Sequence, residues 1–210
     1  MNSKSSALNY LPSKPANLNN LRKAAAKCQG CDLYLLATQT VFGEGSARAK
    51  IVLIGEQPGD KEDMQGEPFV GPAGKLLDTA LEEAGIDKKS VYLTNAVKHF
   101  KFEERGKRRI HKKPKTVEIN ACRPWLEAEI ATIKPQIIVC MGATALRSLF
   151  NKTMSVTELR GQFLESGLAK NVLVTVHPSS ILRLIESEER HEAFKLFVKD
   201  LRKINTVVKM

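Results

Sequence analysis

The sequence predicts an α/β fold, a three-layer α/β/α sandwich around a central four-stranded parallel sheet. Three observations point to it. Short, mostly β-branched apolar runs recur at 51–54, 91–95, 136–139 and 172–176, each of strand length. Amphipathic stretches separate them, and strand alternating with helix four times indicates a parallel sheet covered on both faces. Polar residues gather where the strands stop: Glu56 and Gln57, Asn95, and His177. In open α/β sheets that carboxyl edge is where ligands bind.

The elements follow in order. Residues 1–17 are polar and rich in Pro, Ser and Asn, which predicts a flexible or loosely docked arm; 18–210 reads as a single domain. Leu18, Leu21, Ala24 and Ala25 suggest a helix that runs into Cys28-Gln29-Gly30-Cys31. The strand at 51–54 ends in Gly55-Glu56-Gln57-Pro58-Gly59-Asp60, where two glycines and a proline force a tight turn. A long loop follows, with Phe69 among glycines and prolines, and loops of this kind are commonly functional. Leu76, Leu77, Ala80, Leu81 and Ala84 then mark one side of a helix over 73–84.

The second strand ends on Asn95. The stretch 98–115 carries nine Lys/Arg and two Glu, +7 of the chain's +10, and Gly106 and Pro114 make it a loop rather than a helix. Charge concentrated beside a predicted site argues for phosphate contact over a plain solvated run. A helix over 119–133 leads to the strand that ends at Cys140, and another helix spans 143–150. Segment 153–170 is ambiguous, with a short strand or hairpin near 161–164. The last strand ends at His177-Pro178-Ser179-Ser180. Proline suits a first helical position, which puts His177 at a helix N-terminus. A final helix covers 187–204.

Composition narrows the partners. The net charge of +10 and a sequence pI near 9.5 favour an acidic partner, nucleic acid first. No stretch reaches transmembrane length and no basic amphipathic helix is evident, so no membrane partner is expected. The N-terminus lacks the apolar core of a signal peptide, so a cytoplasmic protein is expected and its cysteines are not expected to form disulfides. Cys28 and Cys31 with the distant Cys122 and Cys140 can close a four-thiolate site for zinc or an iron–sulfur cluster. Spacing does not choose the metal, and unrelated buried thiols are the alternative.

Together these pieces resemble the uracil-DNA glycosylase superfamily. GEQPGDKEDMQGEPFVGPAG looks like the first motif of its iron–sulfur, family-4-like members, and VHPSS like the second. The Gly-Glu-Gln-Pro-Gly turn and the Lys107-Arg108-Arg109-Ile110-His111 loop are similar to the X-type branch (UdgX). The resemblance implies a [4Fe–4S] cluster on Cys28, Cys31, Cys122 and Cys140. It implies uracil-containing DNA, single- or double-stranded, as substrate, free uracil as product, and a monomer associated with the nucleoid through DNA. It also implies uracil excision followed by covalent capture of the DNA.

On that basis each residue takes an expected role. Phe69 stacks on a flipped base, Asn95 matches the N3–H and O4 of uracil, and His177 hydrogen-bonds O2, where charge develops. Glu56 stabilises the cationic sugar, with Asp60 and Asp63 orienting neighbours and Gln57 assisting at the base. Lys98, Lys107, Arg108, Arg109 and Ser179 contact substrate, chiefly phosphates. His111 attacks C1′, since neutral imidazole is a competent nucleophile near pH 7. The rival expectations are a turnover family-4 glycosylase and a non-catalytic, metal-containing nucleic-acid-binding module. No residue is assigned to the exclusion of thymine.

Overall fold

The computed structural model describes residues 6–13 and 17–208. In chain order the elements are α1 (Leu18–Ala25), β1 (Glu44–Gly45), β2 (Ile51–Gly55), α2 (Asp60–Gln65), α3 (Pro72–Glu83) and β3 (Val91–Asn95). Then come β4 (Phe102–Arg105), β5 (Arg108–His111), α4 (Thr116–Ile133), β6 (Ile137–Met141), α5 (Ala143–Phe150) and α6 (Val156–Leu159). The chain closes with β7 (Phe163–Ser166), β8 (Ala169–Thr175), α7 (Pro178–Leu182) and α8 (Ser187–Arg202).

The main sheet has six strands in the order β1-β3-β2-β6-β8-β7. Its four central strands are parallel, as the sequence predicts, and β1 and β7 add an antiparallel strand at each edge. Every residue of β2, β3 and β6 is buried, which explains their unbroken apolar runs. Alternate side chains feed two cores. Ile51, Leu53, Val91, Leu93, Ile137 and Val139 face α3 and α8 through Leu77, Leu81, Phe197 and Leu201. Val52, Ile54, Tyr92, Ile138 and Cys140 face α4 and α5 through Leu126, Ile130, Ala145 and Leu146. A third cluster lies between α4 and α1, around Trp125, Leu21 and Cys28.

Parts of the expected N-terminal arm, 1–5 and 14–16, lie outside the described residues. Between them, Ala7–Tyr10 forms a 3-10 turn with Ala7 fully buried in the third cluster. Gly30 is what lets this turn approach, because a Cβ there would lie 2.7 Å from the Ala7 nitrogen. The basic segment read as a loop is instead an antiparallel hairpin, β4–β5, that pairs Phe102 with His111. Gly106, at φ 59°, supplies the left-handed residue of its tight turn. Among the described residues no helix is long and apolar enough to cross a membrane.

Candidate active site

A cavity of about 730 Å³ opens at the carboxyl ends of β2, β3, β6 and β8. Glu56, Gln57, Phe69, Asn95, His111, His177 and Ser179 all line it, so seven of the predicted residues converge. Gly55 is the floor. A Cβ there would meet Asn95 Oδ1 at 2.3 Å, the Phe69 ring at 2.7 Å and His177 Nε2 at 3.3 Å. Three side chains able to read a flat heterocycle therefore approach one point, and only glycine leaves room for them.

Phe69 reaches that point at a cost in backbone strain. Its φ is +59°, and its ring stacks on His177 with centroids 6.2 Å apart and planes 27° from parallel. Gly74, in the first turn of α3, makes the bend possible: a Cβ there would overlap the Phe69 carbonyl oxygen at 1.7 Å.

His177 is the N-cap of α7. Its Nδ1 accepts the Ser179 N–H at 3.2 Å and pairs with Ser179 Oγ at 2.8 Å. The neutral ring must then carry its proton on Nε2, the nitrogen that faces the cavity. Burial pushes the ring's pKa down to about 4, and the nearby Glu56 only partly offsets this. The Ser179 hydroxyl, expected on phosphate, is here engaged in orienting His177.

Glu56 also lines the cavity. Thr144 Oγ1 donates to its Oε2 at 2.7 Å, and His111 Nε2 lies 3.3 Å from its Oε1. Burial works against its charged form, but the hydrogen bonds from His111 and Thr144 win and hold the carboxyl below the usual range. His111 is half-exposed at the end of β5, tilted over Phe100. An anionic carboxylate and an imidazole thus share one side of the cavity.

The hairpin that carries His111 is fastened at two places. Gln57 Nε2 donates to the carbonyls of Lys101 and Lys112, both at 3.1 Å, which ties its two feet together. Arg109 reaches back to α2, bonding Asp60 Oδ1 and Asp63 Oδ2, each at 2.6 Å. The Arg109 guanidinium also lies 5.4 Å and 5.0 Å from the ring centres of Phe100 and Phe102. Asp63 is fully buried and takes the Thr38 N–H as well.

Other predicted residues lie outside the cavity lining. Asp60 and Asp63 both orient Arg109 and so latch the hairpin to α2, with the Arg109 guanidinium bonded to their carboxylates. Lys98, expected to contact substrate, is turned into the fold. It is 1% exposed, and its Nζ bonds Glu129 at 2.6 Å, Thr94 Oγ1 at 2.6 Å and the Asn95 carbonyl at 2.9 Å. Glu129 is completed by Tyr92 and the Gly43 N–H. Lys107 and Arg108 are exposed at the hairpin tip.

The four cysteines do not form one site. Cys28 and Cys122 belong to the cluster between α1 and α4, with Cys31 packed against it. Trp125 Nε1 and the Lys98 N–H point at the sulfurs of Cys28 and Cys122, each at 3.2 Å. Cys140 instead lies in β6, in the core on the other side of α4. Burial pushes the thiol pKa values of Cys31 and Cys122 up, to about 11 and about 12, and raises that of Cys140 as well. Among the described residues no group of three or more His, Cys, Asp or Glu side chains is placed to hold a metal ion.

The cavity also holds residues to which the sequence assigns no role, among them Glu62, Thr157 and Arg183. Glu62 lines the wall, its oxygens accepting the N–H groups of Gly59 at 3.1 Å and Gly71 at 2.7 Å. It ties the start of α2 to the far end of the loop that presents Phe69. The available signal was the spacing Gly59-x-x-Glu62, an N-terminal capping pattern.

Known proteins match this chain over the same region. Residues 42–202 match the Uracil DNA glycosylase superfamily. The type-4 uracil-DNA glycosylase of Thermotoga maritima is 39% identical over 184 residues, covering 87% of this chain and 90% of that protein. Those of Archaeoglobus fulgidus and Saccharolobus solfataricus are 32% and 37% identical, covering 84% and 79% of this chain and 89% and 77% of their own. Every element that lines the cavity falls within the matched span, and the chain belongs to the uracil-DNA glycosylase superfamily.

Proposed function

We propose that this protein excises uracil from DNA and is then bonded through His111 to C1′ of the abasic site. One observation carries the second half of this reading: the imidazole of His111 is on the cavity wall, 3.3 Å from the Glu56 carboxylate.

The chemistry follows from the arrangement. A uridine leaves the base stack and enters the cavity. Phe69 takes its face, and the Asn95 amide pairs with N3–H and O4, a pattern cytosine lacks. His177 Nε2–H donates to O2. That bond strengthens as the glycosidic bond breaks and negative charge moves onto the base. The sugar becomes cationic, and the Glu56 carboxylate, ionised at neutral pH, opposes that charge. An imidazole nitrogen of His111 with a free lone pair then attacks C1′, and Glu56 balances the positive charge passing to the ring. Gln57, Asp60, Asp63 and Arg109 hold the hairpin so that this ring is waiting when uracil departs.

A four-thiolate [4Fe–4S] site does not fit, because α4 separates Cys140 from the other three cysteines, and no step depends on a cluster. Cys28, Cys31 and Cys122 pack between α1 and α4, and the buried His99 is tied to the end of α1 through Thr40, whose Oγ1 pairs with His99 Nε2 at 2.9 Å and donates to the Ala25 carbonyl at 3.0 Å. A metal centre in this protein would be held there.

A second reading is favoured by the relatives, which bear the name type-4 uracil-DNA glycosylase. In it water replaces His111 as nucleophile, and uracil and a free abasic site are both released. The experiment incubates the protein with matched single strands containing uracil or thymine at one position, and follows free base by chromatography. Release of uracil alone supports excision; release of neither, with equal binding of both strands, refutes it.

A further inference from the structure

A second groove, of about 350 Å³, opens beside the catalytic cavity. Lys113 and Ala143 line both, so the two adjoin. Thr144, which donates to Glu56, belongs to the wall between them. The size lies within the range of small-ligand sites, about 300–1,000 Å³.

Its lining is cationic. Lys113, Lys115 and Arg147 face it together with the hydroxyls of Thr116 and Thr153, and no carboxylate is among the lining residues. Arg147 bonds Thr153 Oγ1 at 2.8 Å, which fixes it at the groove. Among the described residues none of these three cations pairs with an acid. Their neighbours behave differently: Lys101 is paired with Glu118, Lys112 with Glu103 and Arg109 with Asp60 and Asp63. Among the described residues the fold pairs five of the nine cations of the basic segment with acids and leaves Lys113 and Lys115 unpaired here, as it does Lys107 and Arg108 at the hairpin tip. Helices α4 and α5 both begin at this groove, and helix N-termini favour anions.

We propose that this groove binds the phosphodiester backbone of the strand next to the flipped uridine. It would take over the phosphate-holding role first expected of Arg109 and Lys98. The inference rests on the reading of the protein as an enzyme that excises uracil from DNA. A bound strand would leave the cavity past Thr144 and cross Lys113, Lys115 and Arg147. Contacts to phosphate carry no base preference, so the groove sets affinity and salt dependence rather than choice of base.

The test uses Lys115→Ala/Arg147→Ala, since both residues lie outside the catalytic wall. Single-turnover uracil release is measured from a long single strand with one uracil, across a range of salt. Each lost phosphate contact lowers the log–log salt slope by about 0.7 for single strands, so the pair lowers it by about 1.4. The half-saturating concentration then rises about 25-fold near 0.1 M salt, with the limiting rate unchanged. Arg147→Lys keeps the wild-type slope and Arg147→Gln does not. Lys195→Ala/Lys199→Ala on α8, outside both cavities, is the control. A double variant no worse than that control overturns the proposal, as does a fall in limiting rate with half-saturation unchanged. If the wild type releases no uracil, the functional reading fails separately, and binding of uracil-free strands by the same variants still decides the groove.

Discussion

Replacing Asp63 with asparagine should separate excision from capture. The Asp63 carboxylate is fully buried and accepts Arg109 Nη1 at 2.6 Å. Asparagine keeps an oxygen for the Thr38 N–H but removes the charge that holds Arg109. Hydrogen bonds to charged groups contribute about 1.5–3 kcal/mol net. The remaining Asp60 contact is largely solvent-exposed and adds little. Docking of the hairpin against α2 therefore weakens by about 2 kcal/mol, about 30-fold in its equilibrium. Gln57 still ties the feet together, so the base pocket keeps its shape while His111 swings away from Glu56. The assay counts free uracil and SDS-stable protein–DNA product in the same quenched samples. Uracil release should stay within about twofold of wild type, while the cross-linked share of the product falls steeply. An unchanged share would show that the latch does not present His111, and an equal fall in both would place Asp63 in the base pocket itself.

Further expectations concern stability and metal. Burial holds His177 near a pKa of about 4 against an ordinary 6.5, so the unfolded chain binds more protons between those values. Stability should be level above about pH 6.5 and fall as pH drops towards 4; thermal melts of His177→Gln should show a smaller fall, with His99, shifted the same way, supplying the remainder. Lys98→Met leaves Glu129 buried and unpaired and should cost about 3–5 kcal/mol by denaturant unfolding, and the double variant with Glu129→Leu should recover much of it. If Lys98→Met instead folds normally and loses DNA affinity, Lys98 reaches phosphate after all. Cys140→Ala should leave the metal content of purified protein unchanged while Cys122→Ala lowers it; equal losses would return Cys140 to the site.

The sheet was legible because its signals are local. Apolar runs at 51–54 and 172–176 end in Gly-Glu-Gln-Pro-Gly and His-Pro-Ser-Ser, which fix both the strand and the end that carries polar groups. Glu56, Asn95 and His177 meet because parallel strands bring their carboxyl ends to one edge. The fate of the charges was not legible. Lys98 and Arg109 find carboxylates 31 and 46 residues away, and a charge count cannot distinguish a cation that pairs within the fold from one left for DNA. The β4–β5 hairpin was hidden for a related reason. Its residues are mostly exposed on both faces, so no apolar alternation marks it. Cys140 shows the limit of counting thiols, since a cysteine in an apolar strand packs as a small hydrophobe.

His111, held by Glu56, is expected to end bonded to the sugar, and intact-mass analysis after incubation with a uracil-containing strand is the sharpest check of that bond. The wild type should gain the mass of the strand less its uracil, and His111→Ser should show no adduct while still releasing uracil. An adduct of that mass on the His111→Ser protein, or free abasic DNA as the only wild-type product, would contradict it.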